Sequence, residues 1–391
     1  MTSAATASRW IGVGRASTAE PSMGSHALHL ALDGRTPALV MAFASSELDL
    51  PLLVDDLRRS VEAQIPVVGC TTAGEISSDG PSDGGVVVVA FGGADFSIAT
   101  AVAEDVSAGL RDAGALVAGA VSSLDERPYR ILLLLTDGLA GDQQEIVRGA
   151  YSVVGAQVPL VGGCAGDDQH MKSTSVFYDG RVLTNAIVGI AIGSTAPFGI
   201  GVRHGWRRVG EPILVTSSIG TRVLTLDDEP ALDVYLRRLD APPEAATDPA
   251  EFAHFAMTHP LGLSRRSGEE VRFIAGADFT DRSLHCIAQV PQGGLAWIMD
   301  GEDASVLAAT DGACADALAQ LGGDDAKGVL AFDCIARRGV LGDAGIQREV
   351  EHITNGVRGA PVAGFYSYGE IARTRGTGGF HNQTLVVLAV S

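Results

Sequence analysis

At 391 residues, 46% of them hydrophobic, the chain is long enough to bury a substantial core. Its 28 Lys and Arg face 47 Asp and Glu, and the formal net charge of -19 is spread along the chain, which excludes the basic surface that nucleic acid requires. No apolar run approaches the roughly 20 residues of a membrane span, and Met1 to Arg9 has neither a basic start nor an apolar h-region, so a soluble cytoplasmic protein is expected.

In chain order, a strand over Trp10 to Arg15 and a helix around His26 to Leu32 come first. They are followed by an apolar run, Ala38 to Ser45, bounded by turn residues as a buried strand is. Leu53, Leu57 and Val61 then recur at helical spacing. A phrase follows, Pro66-Val67-Val68-Gly69-Cys70-Thr71-Thr72-Ala73-Gly74-Glu75, and after it the turn Gly84-Gly85 feeds a strand over Val86 to Phe91.

The same succession returns twice. Arg130 to Gly138, then Ile146, Val147, Ala150 and Val154, precede Pro159-Leu160-Val161-Gly162-Gly163-Cys164-Ala165-Gly166-Asp167, with Asp179-Gly180 and Asn185 to Ile192 behind. Gly328 to Arg337, then Ile346, Val350 and Ile353, precede Pro361-Val362-Ala363-Gly364-Phe365-Tyr366-Ser367-Tyr368-Gly369-Glu370, with Gly378-Gly379 and Gln383 to Val390 behind. Pseudo-symmetric repeats of strand, helix, strand, turn, strand predict an α/β fold with helix-covered sheets, closed rather than an open array. Between the second and third repeats lie an expected hairpin over Arg203 to Leu226, a helix over Ala231 to Leu239 and a meander over Val271 to Asp300. Two halves are expected, residues 1–230 and 231–391.

The phrases Gly69 to Ile76, His204-Gly205-Trp206 through Val209-Gly210-Glu211-Pro212, Ala231 to Leu236, Gly364 to Ile371 and the closing Gly379 to Thr384 resemble the FIST family. The resemblance covers nearly the whole chain, with an N-terminal FIST domain over roughly 36 to 230 and a C-terminal one over 231 to 375. It implies a bacterial sensory module for a small ligand. Some relatives are haem proteins proposed to sense nitric oxide, so haem is the cofactor it brings into question. No output segment accompanies the two domains, so the signal would pass to a separate signalling partner.

The repeated glycines let backbone approach a ligand or another strand closely. The acids behind them, Glu75, Asp167 with Asp168, and Glu370, are expected at equivalent positions, either accepting hydrogen bonds from a ligand or bonding the backbone of the next turn. Cys70, Thr71, Thr72, Cys164, Tyr366, Tyr368 and Asn382 complete the candidate lining of a small polar pocket where the loops converge. Tyr366 and Tyr368 are expected on opposite sides, so that at most one faces the site. His204 and His381 are the candidate axial ligands for haem; His254 and His259, five residues apart, do not share a helical face and make a poor metal pair.

The five cysteines include no CxxC and no metal spacing, and reduced, buried thiols are expected. Cys70 and Cys164 lie near acids, which would raise a thiol pKa, so an inert thiol is favoured over a nucleophile. The basic pairs Arg207-Arg208, Arg237-Arg238, Arg265-Arg266 and Arg337-Arg338 read as solvated faces. No hydrolase elbow, P-loop or zinc-protease motif is present. The expected function is ligand sensing, of an amino acid-like molecule or of haem and nitric oxide; the alternatives are a protein scaffold without a small ligand and an uncharacterised enzyme.

Overall fold

The computed structural model describes residues 9–17, 22–168, 170–265, 268–374 and 378–391. Three units follow one another. The first is β1 (Trp10–Ser17), α1 (Met23–Leu32), β2 (Leu39–Ser45), α2 (Leu50–Arg59), β3 (Val67–Thr72), β4 (Glu75–Ser77), β5 (Gly80–Ser82) and β6 (Gly85–Gly92). The second repeats it with β7 (Phe96–Ala103), α3 (Leu110–Ala118), β8 (Tyr129–Thr136), α4 (Gln143–Val154), β9 (Leu160–Cys164), β10 (Val176–Tyr178), β11 (Arg181–Leu183) and β12 (Ile187–Ser194).

The third unit opens with β13 (Phe198–Arg203) and is then interrupted. The insert holds β14 (Arg207–Ile219), β15 (Arg222–Leu226), β16 (Glu229–Pro230), α5 (Ala231–Arg238), α6 (Pro249–Met257), β17 (Leu261–Arg265), β18 (Gly268–Arg272), β19 (Ile274–Asp278), β20 (Ser283–Cys286) and β21 (Leu295–Asp300), which form a sheet of their own. The unit resumes with α7 (Asp303–Ala319), β22 (Gly328–Cys334), α8 (Ile335–Gly356), β23 (Val362–Ser367), β24 (Glu370–Arg373), β25 (Phe380–His381) and β26 (Leu385–Val390). Residue 230 falls inside the insert, whose sheet draws strands from both sides of it.

Each unit builds a sheet around one parallel pair, β2 with β3, β8 with β9, and β22 with β23, flanked by the antiparallel β6, β12 and β26 and then β1, β7 and β13. The far edge of each sheet comes from another unit: β10–β11 closes the first sheet, β24–β25 the second and β4–β5 the third. This cyclic exchange covers three strand edges at once and locks the units together.

The side-chain period of two then separates the layers. Leu39, Met41 and Phe43, Ile131, Leu133 and Leu135, and Leu330, Phe332 and Phe365 point into one shared central core. Their alternates, Val40 and Ala42, Leu132 and Leu134, and Val329 and Ala331, face the helices. At the centre, Phe365 meets Phe43 at 4.9 Å and Phe332 at 5.6 Å between ring centroids. The expected helical stripes Leu53 and Leu57, Ile146, Val147 and Ala150, and Ile346, Val350 and Ile353 are the buried faces of α2, α4 and α8. All five cysteines are buried and unbridged. No helix among the described residues is long and apolar enough to cross a membrane.

Arg337 departs from the solvated reading. The third apolar run ends as a strand at Cys334, and α8 starts immediately, so Arg337 turns inward one helical turn beyond Asp333 and is wholly buried. Arg266 of another pair lies outside the described residues.

Candidate functional site

The three phrases meet at one end of the prism, at the C-terminal ends of the parallel pairs, where open α/β sheets usually place ligands. Their backbones bond in a ring: Ala73 N donates to Tyr366 O at 2.8 Å, Tyr368 N to Cys164 O at 3.2 Å and Gly166 N to Thr71 O at 3.1 Å. A second ring runs beside it, from Thr71 N to Ser175 O at 2.9 Å, Cys164 N to Gly369 O at 2.8 Å and Tyr366 N to Gly74 O at 2.8 Å. The predicted loops therefore converge, and they close on one another.

Glu75 and Glu370 occupy matching places, opposite Phe365 and Gly163 in their sheets. Thr72 Oγ1 donates to Glu75 Oε1 at 2.7 Å, and Ser82 Oγ and Gly85 N reach Oε2 at 3.2 and 3.3 Å. Ser367 Oγ donates to Glu370 Oε1 at 2.8 Å and Thr384 N to Oε2 at 3.2 Å. Burial, opposed by these hydrogen bonds, pushes both carboxyls up to about 8.

Asp167 is not their equivalent, because Val176 takes that register position opposite Cys70. Asp167 instead ties a longer turn, accepting from Met171, Lys172 and Ser173 N at 2.9, 2.8 and 2.9 Å and from the Tyr368 hydroxyl. Burial works to raise its pKa, but these donors outweigh it and hold the carboxyl low. Asp137 accepts from the Asn185 N-H in the second unit, one residue before the position that Gly85 and Thr384 hold in theirs.

The remaining predicted residues are placed as follows. Cys70 faces the central core and Cys164 the helix side; burial pushes the Cys164 thiol up to about 12 and raises that of Cys70. Tyr366 and Tyr368 share the helix-facing side, as residues two apart in extended chain do, rather than opposite sides. Asn382 is buried, and its side-chain amide has no hydrogen-bond partner among the described residues. Asp168 lines a cleft of about 240 Å³ with Glu47, Ala73, Asp83, Gly84, Ile335 and Arg338.

A larger cavity of about 730 Å³ lies to one side, and it brings His204 and His381 together. β13 and the turn after it supply Arg203, His204 and Trp206; the start of β14 supplies Arg207; β18 of the insert supplies Glu269 and Glu270; α7 supplies Ser305, Ala308, Ala309 and Gly312; the β24–β25 edge supplies Ala372, Thr374 and His381. Gly205 makes the turn with φ 85°, and a Cβ there would meet Val306 Cα at 2.8 Å, so the loop lies flush on α7.

Local bonds fix both imidazoles. His204 Nδ1 accepts from Trp206 N at 3.0 Å, which leaves the ring proton on Nε2, 3.9 Å from Glu269 Oε2. Burial lowers His204 to about 4. His381 Nε2 donates to Ala372 O at 2.9 Å, so its lone pair is on Nδ1, and burial lowers it as well. The cavity thus holds two neutral imidazoles among two arginines and two carboxylates.

This lining does not fit a porphyrin. The His204 lone pair is engaged by a backbone N-H, which leaves His381 Nδ1 as the one imidazole nitrogen for an axial bond, and around it the walls carry four charged side chains with only Val202 and Trp206 as bulky apolar surface. Their neighbours in the sequence mark the two histidines; they give no sign of Glu269 and Glu270, which β18 of the insert brings in, or of the α7 residues, which arrive by packing on β13.

Fold and cavities together define a closed α/β protein of three interlocked units with a β-rich insert beside a ligand-sized cavity. The chain belongs to the FIST family, matching the FIST N domain over residues 38–229 and the FIST C domain over residues 231–373. FIST domains are associated with sensory ligand binding in signal transduction. An uncharacterised protein of Mycobacterium tuberculosis is 25% identical over 366 residues, covering 90% of this chain and 91% of its own. An uncharacterised protein of Methanocaldococcus jannaschii is 23% identical over 258 residues, 61% of this chain and 49% of its own. Among solved structures, a cyanuric acid hydrolase from A. caulinodans matches 47% of this chain and 71% of its own at 11% identity and a TM-score of 0.26, a level that carries no argument.

Proposed function

We propose that this protein senses a small zwitterion, an amino acid-like molecule, bound in the 730 Å³ cavity, and passes the signal to a separate protein partner. The observation that carries the reading is the charge pattern of the lining: Arg203 and Arg207, paired with Asp316 and Glu302, present cations suited to a carboxylate, and Glu269 and Glu270, paired with Arg208 and Arg272, present carboxylates suited to an ammonium group. The volume is in the range of small-molecule sites, roughly 300 to 1,000 Å³. Neutral His204 and His381 add one donor and one acceptor for the rest of the ligand.

The test is thermal unfolding with each common free amino acid in turn. A ligand at a hundred times its Kd stabilises the fold by about 2.7 kcal/mol, and Arg207→Ala and Glu269→Gln should each reduce the shift. No stabilisation by any amino acid overturns the proposal.

A further inference from the structure

Arg337 and Arg338 are consecutive, and each holds a different open space of the molecule. The buried Arg337 guanidinium donates from Nη1 to His204 O at 2.8 Å, from Nη2 to Thr310 Oγ1 at 2.9 Å and from Nε to Asp333 Oδ1 at 2.7 Å, with Glu349 as its other ion partner. His204 and α7, the element that carries Thr310, are walls of the 730 Å³ cavity. Arg338 reaches the opposite way: Nη1 donates to Ala73 O at 2.8 Å, and the guanidinium pairs with Asp83 at 2.6 and 2.7 Å. Ala73, Asp83 and Arg338 line the 240 Å³ cleft at the converging loops.

Two features let the connection move. Gly342, at φ 62° and ψ 179°, breaks the helical run, so the first part of α8 is a short segment separate from the rest. Around Arg337, Asp333 Oδ2, Glu349 Oε2 and the Tyr366 hydroxyl are buried without hydrogen-bond partners among the described residues, although one proton shared by the two carboxyls would satisfy both. The Tyr366 ring also lies 5.3 Å from the Arg338 guanidinium, so the same side chain touches both ends. The Tyr366 hydroxyl is then the group left without a bond, and it has one to gain in another arrangement.

We propose that residues 335–341 couple the 730 Å³ cavity to the cleft at the converging loops, so that occupancy of the first changes the surface that Asp83 and Arg338 form at the second. The ligand half of this statement rests on the function proposed above. The mechanical half does not: through Arg337 and Arg338, a displacement at either end moves the other.

Hydrogen exchange tests it without a ligand. Asp83→Asn and Arg338→Ala, both at the cleft, should speed exchange of the peptide covering residues 203–206 by about fivefold or more, the usual lower bound of coupling between sites. Arg237→Ala, in a surface ion pair of the insert, should leave that peptide unchanged. If Arg338→Ala lowers global stability, Asp83→Asn, which keeps one acceptor oxygen and weakens only the exposed ion pair with Arg338, still gives the reading. Unchanged exchange in Asp83→Asn overturns the coupling. A second arm adds free amino acids to the wild type, where slower exchange over residues 73–84, lost in Arg338→Ala, is expected. Failure of every amino acid to bind, with the Asp83→Asn effect intact, sinks the ligand reading and leaves the coupling standing.

Discussion

Glu75 and Glu370 perform the same task in two units of the prism. Each accepts from a hydroxyl three residues earlier, Thr72 at 2.7 Å or Ser367 at 2.8 Å, and from the backbone N-H that starts the last strand of its unit. The repeated acid is therefore first a junction between the strand that leaves a unit and the strand that returns to it.

That geometry sets a pH dependence. Both carboxyls are raised from 4.5 to about 8, so between those values the folded chain keeps protons the unfolded chain has released. Stability must then fall as pH rises through this window, by up to about 1.4 kcal/mol per pH unit for each group. Glu75→Gln and Glu370→Gln keep the carbonyl that accepts from Thr72 or Ser367. They should flatten the decline seen in denaturant melts from pH 5 to pH 8.5, while costing about 1 kcal/mol at pH 5 through the altered Oε2 bonds. A wild-type stability that rises across the window would contradict this.

The first glycine of each phrase is fixed by the neighbouring strand. A Cβ on Gly69, Gly162 or Gly364 would stand 2.0 Å from the carbonyl oxygen of Ala42, Leu134 or Ala331 on the parallel partner. Since backbone cannot withdraw without breaking the sheet, alanine at any of the three should destabilise by more than about 3 kcal/mol. Equilibrium unfolding checks it, and a loss under 1 kcal/mol for Gly69→Ala would mean that the parallel pair yields.

These glycines also explain what the sequence discloses. A backbone contact that only glycine permits leaves a letter behind, and in three copies it marks units, strands and the loops that converge. Strand exchange leaves none, because β4, β10 and β24 read alike whether they pair within their own unit or with another. Asp167 misleads for a related reason: the second unit has a longer turn there, which moves the register position to Val176. Arg337 is misread because an apolar run followed by two arginines looks like a strand reaching solvent. The early start of α8 turns the first arginine inward and the second toward the cleft.

Burying Arg337 with Asp333 and Glu349 makes the three interdependent. Arg337→Met leaves two carboxyls in an apolar interior without their cation, and a loss of about 3 to 5 kcal/mol is expected from thermal or denaturant melts. Replacing all three together, Arg337→Met with Asp333→Val and Glu349→Leu, should recover most of it, since no unpaired charge remains. A triple variant less stable than Arg337→Met would show that the ion cluster itself supports the fold.

His204 works against the two carboxyls at acid pH. Its imidazole is lowered from 6.5 to about 4, first by burial, so as pH falls below 6.5 the unfolded chain takes up the proton first and the His204 contribution to stability is lost toward pH 4, offsetting part of the gain from Glu75 and Glu370. The turn supplies a structural reason. Protonation would put a hydrogen on Nδ1 facing the Trp206 N-H at 3.0 Å, two donors where one bond now stands, and the loop against α7 would have to open. The His204 ring resonances should therefore stay constant in an NMR titration from pH 8 to pH 5 and move only near pH 4. His204→Asn, whose side-chain carbonyl can accept the same N-H, should make stability climb more steeply as pH falls from 6.5 to 4.5, while leaving the decline between pH 6.5 and 8 set by Glu75 and Glu370 in place. A ring that titrates near 6.5 would mean that the cavity wall is open to water, and the donor assigned to Nε2 would no longer be available to a ligand at neutral pH.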